Sequence, residues 1–303
     1  MLASARVSSL IIQWIILEIN MLRVIPLLLA RNRRTRASRA IKYFIRQRLA
    51  SLLFIIAALL GAEKIISVAI ITIRLLFKLG IPPFHSWVIT LLPGLNPIAV
   101  LLILTVQKFI PLIILSCIGF SRRWLALILG SRLVVLLTTI ATTSLYDILF
   151  LSSIRNGVWI VTLVSLTRWW VIFFIVYCLL VLRVVVLFNR LKIFSLSHII
   201  ALSSGSGLLI IISLFNLGGL PPLVGFFIKI GALKRIAPSG WTITVFLILL
   251  AFIILAIYTT LVFSWACLPP SIFLISWTRA SHFYSVLGVV IIVIVSGGLW
   301  ILP

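Results

Sequence analysis

Four ionisable side chains interrupt runs that are otherwise apolar. Glu18 stands in SLIIQWIILEINMLRVIPLLLA, Lys78 near the end of IISVAIITIRLLFKLG, Lys108 in LLILTVQKFIPLIILS and Lys229 in LGGLPPLVGFFIKIGALK. A charge inside a lipid-spanning segment costs several kcal/mol, so such groups mark ion or proton pathways by default. One carboxylate and three amines offer proton exchange: the carboxylate favours the charged form of a nearby amine, and its withdrawal favours release of the proton.

Three of the four lie close to prolines. A proline donates no N–H, so the carbonyl four residues earlier loses its helical partner. Pro82 leaves the carbonyl of Lys78 free, Pro111 that of Gln107, and Pro221 and Pro222 those of Leu217 and Gly218. Freed carbonyls in hydrocarbon need water, side chains or a cavity. A lysine beside such a hydrated break can give and take protons near neutral pH. Simpler roles exist for each residue. Lys78 could snorkel to an interface, Lys229 could anchor a helix end with Lys234 and Arg235, and Glu18 could neutralise an arginine. Lys108, with long apolar stretches on both sides, is too deep to snorkel easily.

The remaining ionisable groups give less. Arg74 lies one turn before Lys78 on the same face, where like charges repel unless Glu18 or Glu63 offsets them. Asp147 begins an apolar run and suits a cap. His85, His198 and His282 lack ligand spacing, which argues against a metal site. Cys117, Cys178 and Cys267 sit singly in apolar runs and read as structural thiols.

The elements that must position these groups are transmembrane helices. The chain has 303 residues, 63% of them hydrophobic, with a mean hydropathy of +1.36, which is the composition of an integral membrane protein. A span takes roughly 20 apolar residues, and runs of that kind lie near 8–30, 40–61, 64–81, 97–118, 124–141, 146–167, 169–189, 199–236, 241–267 and 282–302. About ten helices result, in one polytopic domain over 1–303. The run 199–236 is too long for one span and is interrupted by LGGLPPLVG, so it reads as a broken helix. The connections leave no room for a nucleotide or flavin fold, and the start, MLASARV, reads as mature sequence.

Net charge is +23, from 26 Lys and Arg against three acidic residues. In a soluble chain this would suggest nucleic acid; here the cations crowd the short connections, which excludes that reading. Most have no acidic partner within the chain, so anionic phospholipid such as cardiolipin, or acidic neighbouring subunits, must supply counter-charge. The basic run RNRRTRASRAIKYFIRQR, 31–48, should face the cytoplasm or the mitochondrial matrix. The next cluster, SRRWLALILGSR, falls three crossings later on the opposite face, so charge fixes the orientation weakly.

Several of these strings carry a resemblance. KLGIPPFHSW followed by LLPGLNPIAVLLILTVQKFIPL, then SSIRNGVW and NLGGLPPLVGFFIK, resemble signatures of subunit 2 of mitochondrial NADH:ubiquinone oxidoreductase (respiratory complex I), an antiporter-like membrane subunit family. QWIILEINMLRVIPLLL and IKYFIRQRLAS resemble its early region, and the match runs in register over about 13–236. The resemblance implies two inverted repeats of five helices, each with a broken helix. They would lie near 1–120 and 121–267, followed by a C-terminal helix near 282–302, the first repeat being shortened at its N-terminus. It further implies proton translocation driven by quinone reduction, in the mitochondrial inner membrane beside other membrane-arm and accessory subunits. No cofactor is expected in this chain; NADH, FMN, iron–sulfur clusters and ubiquinone belong to partner subunits. Carried over residue by residue, Glu18 pairs with Lys78, Lys108 is the central relay, and Lys229 stands on the second broken helix. Asn156 and the pair Ile89 and Thr90 depart from the family pattern, as does the region of Tyr146 and Asp147.

Two other readings compete with a proton-pumping subunit. A free-standing monovalent cation/proton antiporter shares the broken helices but usually needs carboxylates, of which this chain has few. A structural connector of the membrane arm would carry its lysines as vestiges.

Overall fold

The computed structural model describes residues 2–29, 34–59, 65–81, 84–91, 95–118, 145–192, 204–221 and 223–266. Every regular element among them is a helix. In hydrocarbon this follows from the backbone, whose N–H and C=O groups must be satisfied within the segment. The expected spans at 124–141 and 282–302 lie outside the described residues, as do Glu63, Pro82, Pro83, Pro222, His198, His282 and Cys267 and the side chain of Asp147. Among the described residues, four helical stretches are long and apolar enough to cross a membrane: Ile12–Leu29, Pro97–Ile118, Ile148–Leu166 and Trp170–Leu191.

One unit comprises Met1–Val135 and Tyr146–Phe174. It contains α1 (Leu2–Leu29), α2 (Arg34–Leu59), α3 (Ile65–Leu79), α4 (Ser86–Leu91), α5 (Pro97–Leu104), α6 (Val106–Ile118), nearly all of α7 (Leu145–Leu166) and the start of α8 (Trp170–Leu191). α2 begins within the basic run, six residues before the expected 40, because a helix does not end where its apolar face does. α1 buries Leu17, Met21, Val24 and Leu28, and α2 buries Tyr43, Ala50, Phe54 and Ala57, at the three- and four-residue spacing of a helix face. Outward, both expose many apolar side chains, among them Ile12, Ile15, Ile19, Ile41, Ile45, Leu49 and Leu52, beside the cations Arg23, Lys42 and Arg48. α1 packs on α2, α5 and α6; α2 packs on α3 and α4; and α3 packs on α6.

The second unit comprises Leu136–Leu145 and Ile175–Pro303. It holds the rest of α8, then α9 (Ser204–Gly218), α10 (Val224–Ile236) and α11 (Trp241–Ala266). α9 packs on α10 and α11, and α10 touches α11.

Both interrupted segments stop by the same device, a left-handed glycine ahead of the prolines. Gly80 has φ +63° and Gly219 φ +84°, left-handed values that place a glycine just past the helix end. The Ile81 amide donates to the Leu76 carbonyl at 3.1 Å and the Gly80 amide to that of Phe77 at 3.1 Å. Leu220 likewise donates to Phe215 at 3.2 Å. Helices α3 and α9 are therefore finished before their prolines, and the glycine closes them. The third expected proline break falls elsewhere: α6 runs through Pro111, and the interruption lies at Thr105, between α5 and α6. Gly80→Ala would force a side chain into the left-handed region and set its Cβ 2.8 Å from Val88 Cγ2. The expected cost is ~1–3 kcal/mol, read as a lowered thermal-inactivation midpoint.

Candidate functional site

The carboxylate of Glu18, buried on the inner face of α1, meets cations from two other helices. Arg48 Nη1 on α2 lies 3.0 Å from Glu18 Oε2, and Lys78 Nζ on α3 lies 3.9 Å from Oε1. Lys78 Nζ is also 3.5 Å from the Leu17 carbonyl. Lys78 occupies the last turn of α3, where carbonyls without helical partners and the negative end of the helix dipole favour a cation. Arg74, one turn earlier, is fully buried. Its guanidinium stacks 4.0 Å over the Phe54 ring of α2 and makes no hydrogen bond among the described residues. An aromatic face thus accommodates this second cation on α3.

Next to the Glu18 group lies a second cluster on α6. Lys108 is buried, and its amine donates to Ser153 Oγ at 2.5 Å and faces the Ser153 carbonyl at 3.4 Å, both on α7. Neighbouring Gln107 donates to the Tyr43 hydroxyl of α2. Gly157 of α7 brings these groups near the end of α3, since a Cβ there would lie 3.7 Å from Ile81 and 3.9 Å from Lys108 Nζ. The Trp87 indole donates to the Phe77 carbonyl at 2.9 Å, so α4 adds a second donor to a carbonyl in the last turn of α3. Asn156 donates to the Ser152 carbonyl at 3.1 Å within α7.

In the second unit, Lys229 is buried on α10 and its amine donates to the carbonyl of Gly218, the last residue of α9. The Gly225 amide, in the first turn of α10, donates to Asn216 Oδ1 at 2.8 Å. Each half of the broken helix therefore satisfies the open end of the other. Lys229 is separate from Lys234 and Arg235, which are exposed.

The structure brings Glu18 and Lys78 together and sets Lys108 in the same unit, with Lys229 at the break of the other. Sequence reasoning missed Arg48, Tyr43, Gln107, Ser153 and Asn216. Arg48 had been read as part of a basic connection. The others carried no signal, because each acts through a partner far away in the chain.

No protein-family model matches the chain. It is 33% identical over 230 residues to NADH-ubiquinone oxidoreductase chain 2 of Anopheles gambiae, covering 71% of this chain and 67% of the relative. It is 31% identical over 291 residues to that of Squalus acanthias, covering 88% and 82%. To that of Locusta migratoria it is 29% identical over 258 residues, covering 81% and 75%. Among solved structures, a chain of respiratory complex I from Thermus thermophilus superposes with a TM-score of 0.74 at 22% identity, over 93% of this chain and 71% of that one. A chain of the Mrp complex from Dietzia sp. superposes with a TM-score of 0.69 at 14% identity, over 83% and 55%.

Proposed function

Because this chain belongs to the family of NADH-ubiquinone oxidoreductase chain 2, we propose that it is a proton-translocating membrane-arm subunit of respiratory complex I. The observation that carries the reading is the buried Glu18 carboxylate facing Lys78 at the end of an interrupted helix. With the carboxylate close, the charged amine of Lys78 is favoured. When the carboxylate withdraws, Lys78 releases its proton toward Lys108, which faces the Ser153 hydroxyl and carbonyl. Lys229 governs exchange with one aqueous side, its amine leaving the Gly218 carbonyl to do so. Redox chemistry belongs to partner subunits, and the chain couples to it electrostatically.

The same reading makes α3–α4 and α9–α10 the broken helices of two inverted repeats in a molecule of about ten spans. It places the chain in the mitochondrial inner membrane, among other membrane-arm and accessory subunits. Its net charge of +23 is offset there by those subunits and by anionic phospholipid such as cardiolipin. Likeness in fold to an Mrp chain favours a free-standing antiporter as a second reading, but three acidic residues in all give poor coordination of a monovalent cation.

The test is a joint neutralisation of Glu18→Gln, Lys78→Met, Lys108→Met and Lys229→Met in the assembled complex, reconstituted in vesicles. Protons moved per NADH oxidised should fall while assembly persists. Unchanged pumping, with assembly lost only when the subunit is deleted, would make the chain a structural connector.

A further inference from the structure

Glu18 offers two carboxylate oxygens, and each faces a different cation from a different helix. The two contacts are unequal. Arg48 Nη1 at 3.0 Å makes a close ion pair without hydrogen-bond geometry, whereas Lys78 Nζ at 3.9 Å is at the outer limit of an ion pair. Arg48 reaches this contact from outside: its side chain is 41% exposed, against 6% for Lys78. Its guanidinium stands 5.1 Å over Phe44, one turn away on the exposed face of α2.

Among the described residues, the charged groups around Lys78 are few. α1 contributes Glu18, α2 contributes Arg48, and α3 itself contributes Arg74. α6, which packs on α3, carries Lys108 as its one charged residue, and α5 holds no ionisable residue. Tyr43 of α2 is engaged with Gln107. Within the Glu18 group, three cations share one carboxylate. Arg74 is turned onto Phe54, which leaves Arg48 and Lys78 to compete.

We propose that Arg48 is a positioning residue that competes with Lys78 for Glu18 and so sets how firmly the carboxylate holds the relay lysine. This rests on the relay reading above. With Arg48 on Oε2, the carboxylate is kept at a distance from the amine, and Lys78 is free to pass its proton on. If Arg48 swings out along Phe44, the carboxylate can close on Lys78. A side-chain rotation exchanges the two arrangements, with no shift of α1, α2 or α3. The partial exposure of Arg48 gives a neighbouring anionic group, from lipid or another subunit, access to the competition.

The experiment uses the assembled complex with Arg48→Gln, Arg48→Lys and Glu18→Gln. Two quantities are read: the infrared carboxylate band that disappears in Glu18→Gln, and the rate of proton translocation in vesicles. Arg48→Gln should move the Glu18 band and slow translocation about tenfold, less than the roughly 10²-fold expected when a proton-transfer group is itself removed. Arg48→Lys should restore part of both, and Arg48→Gln should add nothing in the Glu18→Gln background. If neither band nor rate moves, the proposal is overturned. A rate loss with the band unchanged also overturns it, because Arg48 then acts only in assembly. A band that moves while translocation stays normal overturns the relay, and with it the effect proposed for Arg48 on transport, but leaves the Arg48–Glu18 contact in place.

Discussion

Lys108→Met is expected to slow proton transfer through this subunit by about 10²-fold, the loss usual when a positioned proton-transfer group is removed. Protons moved per NADH oxidised by vesicle-reconstituted complex should fall accordingly. The large effect comes from what the substitution leaves intact. Methionine matches the length and apolar stem of lysine, so the packing of α6 on α1 and α3 survives. Replacing a buried charge by an apolar side chain of similar size is commonly neutral or stabilising, so the variant should assemble. What is lost is the one ammonium facing both the Ser153 hydroxyl and the Ser153 carbonyl. A Ser153→Ala control should have a much smaller effect, since the amine keeps its carbonyl acceptor. Full stoichiometry in an intact Lys108→Met complex would remove Lys108 from the pathway.

Glu18→Gln is expected to have the largest effect on stability. The substitution preserves shape but removes the only carboxylate that faces Arg48 and Lys78 among the described residues. Breaking a buried ion pair by deleting one partner costs about 3–5 kcal/mol, because the other charge stays buried without compensation. Partial exposure of Arg48 lets solvent or headgroups screen its share, so the lower end, about 3 kcal/mol, is expected. Arg74 adds to the loss, since it is held in place without a hydrogen bond among the described residues. The yield and thermal-inactivation midpoint of the assembled membrane arm should both drop. In Glu18→Gln/Lys78→Met the loss should be smaller than the sum of the single losses, as expected for residues in contact. Additive losses would mean that the 3.9 Å approach carries no coupling.

Much of the site was legible because membrane chemistry makes charge conspicuous. Glu18, Lys78, Lys108 and Lys229 stand out in apolar sequence, and all four are buried in the folded chain. The positions of two breaks could also be read, from LGIPPF and LGGLPPLVG. In both, a left-handed glycine, Gly80 or Gly219, ends the helix two residues before the first proline. Pro111, by contrast, misled. A missing N–H removes one hydrogen bond, and α6 absorbs the loss, while the interruption falls at Thr105. Arg74 looked like an electrostatic problem, and an aromatic ring on another helix accommodates it.

By itself, the sequence determined that the chain is a bundle of apolar helices, short of carboxylates, with four costly charges that must be buried for a reason. It placed Glu18 within one apolar run and Lys78 near the end of another. It could not say which faces oppose one another. Only the tertiary structure decided that Arg48 reaches Glu18 more closely than Lys78 does, that Ser153 receives Lys108 and that Gly218 receives Lys229. The physical reason is that these contacts join segments far apart in the chain, where no local propensity acts, and the packing of one helix against another selects the partner.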